Sequence, residues 1–253
     1  MVLLALFGTF LSASTLGIVQ KVDGIVKVKH KDSIKKSKVK NGYEIQEGDI
    51  ISTFRSSDAV LSLKDDSKVI LKSKSTIAFI DADNIHQSGG KVFYKITSRD
   101  AKHKLKIKTN FAIIGIKGTT FIVGSDANDS YVALKEGLIG VESIKEQFRL
   151  YKKKVLDEYE AYVRKQQQGF KEFKEKGEEY VMEVTPSFDL HAGNVVSFEG
   201  DKAVENPLEK EDDFSSFEEL LSEQPEGMEK ENTQMPHAGM NGFNIDEFLI
   251  VGN

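Results

Sequence analysis

The sequence predicts an all-β main domain, solenoid-like or built of two sheets, with an inserted charged α-helical segment and a mostly disordered acidic C-terminal tail. Three observations carry that prediction. From Gly17 to Ser143, short runs rich in Val, Ile, Phe and Thr recur at roughly ten-residue spacing with turn signals between them, as in sandwiches, barrels and solenoids rather than βαβ units. From Ile144 the period lengthens: Phe148, Tyr151, Val155, Tyr159 and Tyr162 follow at steps of three and four among charges, which is one face of a helix. From Glu205 the chain becomes acidic and spotted with Pro, Gly and Asn, a composition that buries too little apolar surface to fold alone. The expected organisation is a signal peptide over 1–16, a β domain over 17–143 and 184–204, a helical insertion over 144–183, and an acidic tail over 205–253 with short docking segments.

Residues 1–16, MVLLALFGTFLSASTL, hold an apolar run followed by small residues. That is the length of a signal-peptide core and short for a bilayer span, and Ala13 or Ser14 suits a cleavage site. No Lys or Arg precedes the run, so the positive n-region is missing. No other stretch reads as transmembrane, so no stable membrane span is expected once the leader is removed.

Strand and turn signals then alternate. Gly24-Ile25-Val26-Lys27-Val28 opens a strand, and Glu47-Gly48-Asp49 turns into Ile50-Ile51. Ala59, Leu61 and Leu63 share one face, and Lys64-Asp65-Asp66-Ser67 returns the chain as Val69-Ile70-Leu71. Thr76 to Ile80 is a strand, Asp81 to Gly90 a polar loop, and Lys91 to Ile96 a strand. Leu105 to Thr109 alternates with Lys104, Lys106 and Lys108. The densest stretch is Lys108 to Gly124, KTNFAIIGIKGTTFIVG, whose glycines mark a bend or a close backbone approach between two strands. Tyr131 to Leu134 and Leu138 to Val141 flank a turn at Lys135-Glu136-Gly137. Beyond the insertion, Val184 to Val204 regains β character. In the tail, Phe214, Phe217, Leu220 and Leu221 fit one or two helical turns after Asp213, and Phe243 to Val251 is a short apolar end.

Charge is uneven. Residues 18–143 hold 22 basic and 15 acidic residues, and 184–253 hold 3 and 16. The lysines are spread over alternating strand positions and no Arg cluster appears. This reads as a solvated strand face beside an acidic tail, without nucleic acid as partner.

The sequence holds no catalytic signature. The chain has no Cys, hence no disulfide, thiol nucleophile or thiolate metal site. The five histidines, 30, 86, 103, 191 and 237, are scattered, with no HExxH or i,i+4 pair, so no metal site is expected. Asp81-Ala82-Asp83-Asn84 begins like a calcium loop, but Ile85 and His86 fill its fifth and sixth positions and no Glu stands at its twelfth. Asp126 to Asp129 is half such a site and reads as a turn. Around Gly115 to Thr120 the GxxxxGK[ST] spacing is absent and both flanks are strands, against a phosphate loop. The catalytic, cofactor and metal assignments are therefore none, and the chain reads as a non-enzyme.

Several of these pieces together resemble the FecR domain family. Gly24 to Val28 is similar to its opening GxVxV strand, and Gly48-Asp49-Ile50-Ile51-Ser52-Thr53 to its GDxIxT element. Ser57 to Leu63 and Asp65 to Leu71 are similar to the SxAxLxLxDGSxxxL that follows. Thr109, Ala112, Gly118, Thr119 and Phe121 fit the TPxAxxxxxGTxF core, and Glu136 to Val141 and Leu190 to Gly193 fit the closing EGxVxV and LxAGxxV. Phe54, Asp66 and Asn110 depart from the pattern. The resemblance implies an all-β domain in the periplasm or at the bacterial cell surface, with no catalytic group. It looks like the stand-alone exported class rather than the transmembrane anti-sigma regulators.

The expected function is an exported, non-enzymatic binding or scaffold module of the cell envelope, whose partner is another envelope protein. Contacts would come through the helical insertion, a strand edge or the C-terminal apolar segment, where Phe243, Phe248, Leu249 and Ile250 are the candidate partner-binding residues, docking in cis or in trans. A periplasmic signalling component that engages a receptor or a membrane regulator is one alternative. A polysaccharide or peptidoglycan binder is another, disfavoured by the absence of Trp.

Overall fold

Residues 15–97, 105–126, 129–153, 180–209 and 212–222 are described by the computed structural model and form nineteen strands and one helix. In chain order these are β1 (Thr15–Asp23), β2 (Val26–Lys29), β3 (Lys36–Lys38), β4 (Tyr43–Gln46), β5 (Ile50–Thr53), β6 (Asp58–Leu63) and β7 (Lys68–Leu71). Next come β8 (Thr76–Phe79), β9 (Asn84–Ile96), β10 (Leu105–Lys108), β11 (Ala112–Ile116), β12 (Thr119–Asp126), β13 (Asp129–Glu136) and β14 (Leu138–Ser143). The last are β15 (Phe148–Lys153), β16 (Tyr180–Thr185), β17 (Ser187–His191), β18 (Asn194–Glu199), β19 (Lys202–Pro207) and α1 (Asp212–Ser222).

The strands form two sheets that share one member. Sheet A runs β4-β1-β6-β7-β9-β12-β13-β18-β19-β15-β16. Sheet B runs β3-β2-β5-β8-β9-β10-β11-β14-β17. Leu61, Val69, Val92, Phe121 and Leu134 from sheet A meet Ile51, Ile77, Ile107, Ile114 and Val141 from sheet B in one buried cluster. Of the two expected forms, this is the two-sheet one.

The long strand β9 joins the sheets. Its first half pairs with β8 and β10 in sheet B, and its second half with β7 and β12 in sheet A. The change of sheet falls at Gly89-Gly90. Gly90 has φ +82°, and a Cβ there would collide with Ser75, so glycine is required. Gln87, fully buried just before the bend, ties it to the neighbouring strand with its side-chain amide. Its Nε2 donates to Gly90 O at 3.0 Å and Val123 O at 3.1 Å, and its Oε1 accepts from the Tyr94 hydroxyl at 3.0 Å. The expected loop over Asp81 to Gly90 is thus corrected: from Asn84 on it is strand, with polar Gln87 facing inward because the bend needs its amide.

Two further crossings between sheets meet at Gly118 and Gly137. Each links a strand of one sheet to a strand of the other, β11 to β12 and β13 to β14. Gly137 has φ +93°, and a Cβ on it would stand 2.6 Å from Gly118 O. The close backbone approach expected within Lys108 to Gly124 is this contact. Phe121, three residues on, is fully buried and stacks on Tyr94 with centroids 5.0 Å apart. At the Leu63-to-Lys68 turn Asp66 adopts φ +63°, the left-handed conformation that Asp tolerates.

Sheet A differs from sheet B in having two apolar faces. In β10, Leu105 and Ile107 are buried and Lys106 and Lys108 exposed, one face to the core and one to water. In the middle of sheet A buried residues face both ways, as in Thr119 to Ser125. The outward residues Val60, Ile70, Phe93, Ile122 and Ala133 form a second cluster with Phe214 and Phe217 of α1. Phe217 stacks on Phe93 at 5.0 Å and Phe214 meets it edge-on at 6.2 Å. Lys135 pairs with Glu218, and Lys72 and Lys135 lie over the two Phe rings. Burying two Phe side chains stabilises this docking by roughly 1.5–3 kcal/mol each.

The chain corrects three expected boundaries. First, β1 begins at Thr15 and Leu16 is 9% exposed in the core, so a leader ending at 16 runs two residues into the domain; residues 1–14 lie outside the described residues. Second, the ends of the expected helical insertion are strands. Phe148 and Leu150 point into the core with Arg149 exposed between them, a period of two; the step from Phe148 to Tyr151 suits a helix only if Leu150 is passed over. The middle, 154–179, lies outside the described residues, as do Val155, Tyr159 and Tyr162. Third, the tail is ordered as far as Ser222: β19 continues to Pro207, and α1 docks Phe214 and Phe217 on the parent domain. No helix among the described residues is long and apolar enough to cross a membrane.

Candidate functional site

The GDxIxT element is where polar side chains converge most tightly. Gln46 to Asp49 form a turn, with Asp49 N donating to Gln46 O at 3.1 Å and Gly48 at φ +84°. The Asp49 carboxylate is almost fully buried. Its Oδ2 accepts from the Tyr43 hydroxyl at 2.6 Å and from Gln46 N at 3.0 Å, and its Oδ1 lies 2.8 Å from His30 Nδ1. Burial first, then the hydrogen bond and charge of Asp49, push the Tyr43 phenol far above its ordinary range. A His–Asp pair could orient an imidazole for proton transfer. Every polar atom of the carboxylate is instead spent on tying the turn to β4 and the β2–β3 link, so this is a structural lock. Thr109 is a smaller one: its Oγ1 accepts from Phe111 N and Ala112 N and donates to Ala112 O, closing the turn between β10 and β11.

Among the described residues no three His, Asp or Glu side chains converge as metal ligands. The loop over Asp81 to Asn84 is tied up locally, since Asp81 accepts from Asp83 N and from Asn84 Nδ2. A cleft of about 950 Å³ opens at one end of the sandwich, walled by Lys74, Lys145, Lys202, Asn110 and Glu199 over the stacked rings of Phe111 and Phe198. Its charges are mixed, and Lys202 lies over the Tyr151 ring.

The surface best suited to a partner is the end of sheet A. Among the described residues β16 pairs only with β15, so one of its edges carries backbone donors and acceptors outside any ladder. Its side chains are exposed on both faces: Val181 is 56%, Met182 53% and Val184 54% exposed. Three large apolar residues within four positions on an open edge are unusual, because sheets ordinarily blunt their edges with charge, Pro or a covering element. The flanking strand β15 is basic, with Arg149, Lys152 and Lys153, and Arg149 is held by Asp201 through two bonds of 2.8 and 2.9 Å. Next to this edge, a groove of about 460 Å³ runs over the outer face of sheet A, floored by Ile122, Ala133, Val195 and Phe214 and walled by Tyr131 and Tyr180.

The partner-binding candidates expected from the sequence, Phe243, Phe248, Leu249 and Ile250, lie outside the described residues. The β16 edge is hidden from a reading of the sequence by the helical expectation for 144–183. The signal that finds it is the run Tyr180-Val181-Met182-Glu183-Val184-Thr185, β-branched and aromatic with one charge.

Comparison with known proteins agrees with the motifs. The family model described as FecR protein matches residues 49–140. That span runs from the Asp49 lock through the β9 bend to Gly140. No curated protein matches the chain by sequence. Two crystal structures of a candidate anti-sigma factor from Parabacteroides distasonis resemble part of the chain. The first is 11% identical with a TM-score of 0.46, covering 66% of this chain and 64% of that one. The second is 13% identical with a TM-score of 0.42, covering 62% of this chain and 59% of that one.

Proposed function

We propose, from the premise that this chain carries a FecR domain, that it is an exported, non-enzymatic protein-binding module with a signalling or scaffold role at the bacterial cell envelope. The observation that carries this reading is the open apolar edge of β16, with Val181, Met182 and Val184 each more than half exposed. An edge of this kind binds by adding an extended segment of the partner as a further strand. Main-chain hydrogen bonds supply affinity, and the alternating side chains select the sequence. The sandwich behind it supplies rigidity. The envelope placement rests on the FecR resemblance and on the leader-like run at the N-terminus.

The test is affinity capture from the native envelope with the tagged full-length protein and with its Met182→Lys/Val184→Lys variant. The variant adds charge to an already exposed strand and leaves the core alone. The reading expects an envelope protein that the wild type retains and the variant loses, with the same urea midpoint for both. Identical capture by the two proteins overturns it.

A further inference from the structure

Lysines scattered along the sequence come together on the outer face of sheet B. Lys27 and Lys29 alternate with the buried Val26 and Val28 of β2, and Lys106 and Lys108 with the buried Leu105 and Ile107 of β10, so all four point away from the core. On β3, Lys38 and Lys36 stand directly across from Lys27 and Lys29. Like charges opposed in this way destabilise a strand pair. Nothing nearby offsets them: the neighbouring strands β3, β2, β5, β8, β9 and β10 contain no Asp or Glu. Among the described residues none of the six lysines is paired with a carboxylate. From β2 to β10 is four ladder steps, or about 19 Å. The relief between is low, with Ser52, Thr76 and Ala78 beside Ile50 and His86. Within the strands of sheet B, acidic side chains return only at the far side, Glu142 on β14 and Asp189 on β17.

We propose that this face rests on the surface of an anionic lipid bilayer, with Ile25 and Phe54 as its apolar contact. Ile25 and Phe54 continue β2 and β5 by one residue each, two positions from the outward Lys27 and Ser52. The Phe54 N–H donates to Ile25 O at 3.0 Å. Ile25 is half-exposed and Phe54 more than a third exposed. Lys27 Nζ lies 5.2 Å from the centre of the Phe54 ring, and Lys74 N donates to Phe54 O. Phe54 is also one of the positions at which this chain departs from the FecR pattern. An apolar pair set among lysines on an exposed face is what an anionic bilayer rewards: the rings and methyls enter the headgroup layer while the ammonium groups stay beside the phosphates. A soluble polyanion would gain nothing from Ile25 and Phe54. The charge distribution also sets the tilt. Asp32, Glu47, Asp81 and Asp83 lie in links at the opposite end of these strands, away from Ile25 and Phe54. At the near end, Asp23 and Asp58 belong to β1 and β6 of sheet A, and Asp58 is paired with Lys72. This face belongs to sheet B and the β16 edge to sheet A, so either contact can exist without the other.

The test uses the full chain at physiological salt and sedimentation with vesicles of phosphatidylcholine, alone or mixed with half as much phosphatidylglycerol. The sequence has no Trp, so Phe54→Trp places a single indole at the contact. The expected result is that vesicles with phosphatidylglycerol sediment the protein and shift the indole emission to the blue, and that phosphatidylcholine alone does neither. Lys38→Gln/Lys108→Gln, at two exposed positions, should lower the partition coefficient about thirtyfold with no fall in the urea midpoint. Equal binding to both kinds of vesicle, or binding indifferent to the two lysines, is what an apolar segment elsewhere in the chain would give, and either overturns the proposal. Lysine-dependent binding of soluble polyphosphate, with the emission unshifted by vesicles, would assign the face to a soluble polyanion and overturn it. So would a failure to sediment with either vesicle.

Discussion

Gln87→Leu isolates the device that lets one strand serve both sheets. Gln87 is fully buried, donates to Gly90 O and Val123 O, and accepts from Tyr94. Leucine nearly matches its volume, so the cost is polar rather than steric. Two carbonyls lose a side-chain donor and one phenol loses its acceptor in a dry core, at about 1–3 kcal/mol for each group left unsatisfied. Some of that is recovered by relaxation, which leaves about 3–5 kcal/mol. Tyr94→Phe alone removes one donor and strands Gln87 Oε1, at about 1–2 kcal/mol. In Gln87→Leu/Tyr94→Phe the phenol no longer exists to be stranded. The double variant should therefore be more stable than the sum of the singles, by about 1–2 kcal/mol of coupling. Urea unfolding followed by far-UV circular dichroism measures all three, with unchanged m-values as the check that the unfolded state is the same. A single-variant cost below about 1 kcal/mol, or strict additivity, would refute the role assigned to Gln87.

Other changes have equally definite outcomes. Phe121→Ala leaves a cavity beneath Tyr94 in the centre of sheet A and should cost about 3–5 kcal/mol in the same unfolding assay. Gly137→Val should prevent accumulation of soluble protein, because its Cβ would stand 2.6 Å from Gly118 O at a φ of +93°, while Gly193→Ala, at an open turn with the same sign of φ, should cost only about 1 kcal/mol. Phe217→Ala should release α1, seen as proteolysis after β19 with the sandwich's own unfolding midpoint lowered by less than for Phe121→Ala. Tyr43 and Tyr94 both have phenols pushed up from the ordinary value of 10.0, chiefly by burial. Their contribution is thus fully present below pH 10 and is lost as pH rises past it, where only the unfolded chain ionises. Stability should fall above pH 10, and less steeply in Tyr43→Phe.

The sequence made most of the β body legible because its strands announce themselves locally. Gly24, Gly48, Asp66, Gly118 and Gly137 each sit at a turn or crossing that favours a permissive residue, and most strands between them alternate or run apolar, with the exposed Lys36–Lys38 of β3 an exception. What was not legible depends on distant partners. The Asn84-to-Gly90 segment reads as loop because its inward residue is Gln87, whose amide makes sense only beside Val123 and Tyr94. Phe148 and Tyr151 satisfy a helical step as well as a strand step, and only the packing of Phe148 against Phe188 and Phe198 decides. The double-sided burial of Ile122 and Phe93 identifies sheet A as covered on its outer face, but it takes the fold to show that α1 provides the cover. The β16 edge, the proposed contact surface, fell within a segment whose ends could be read in either period.

Hydrogen exchange at β16 tests the central claim most directly. The full-length protein is measured alone and again after it has been saturated with the native envelope fraction and re-isolated. An added strand would protect the outward-facing amides of Val181 to Thr185, which the account expects to exchange quickly in the free protein, while those of β7 and β12, already inside the ladder, stay as they were. The account predicts that selective slowing, by about tenfold or more. A partner that binds and leaves the β16 amides as fast as before would contradict it.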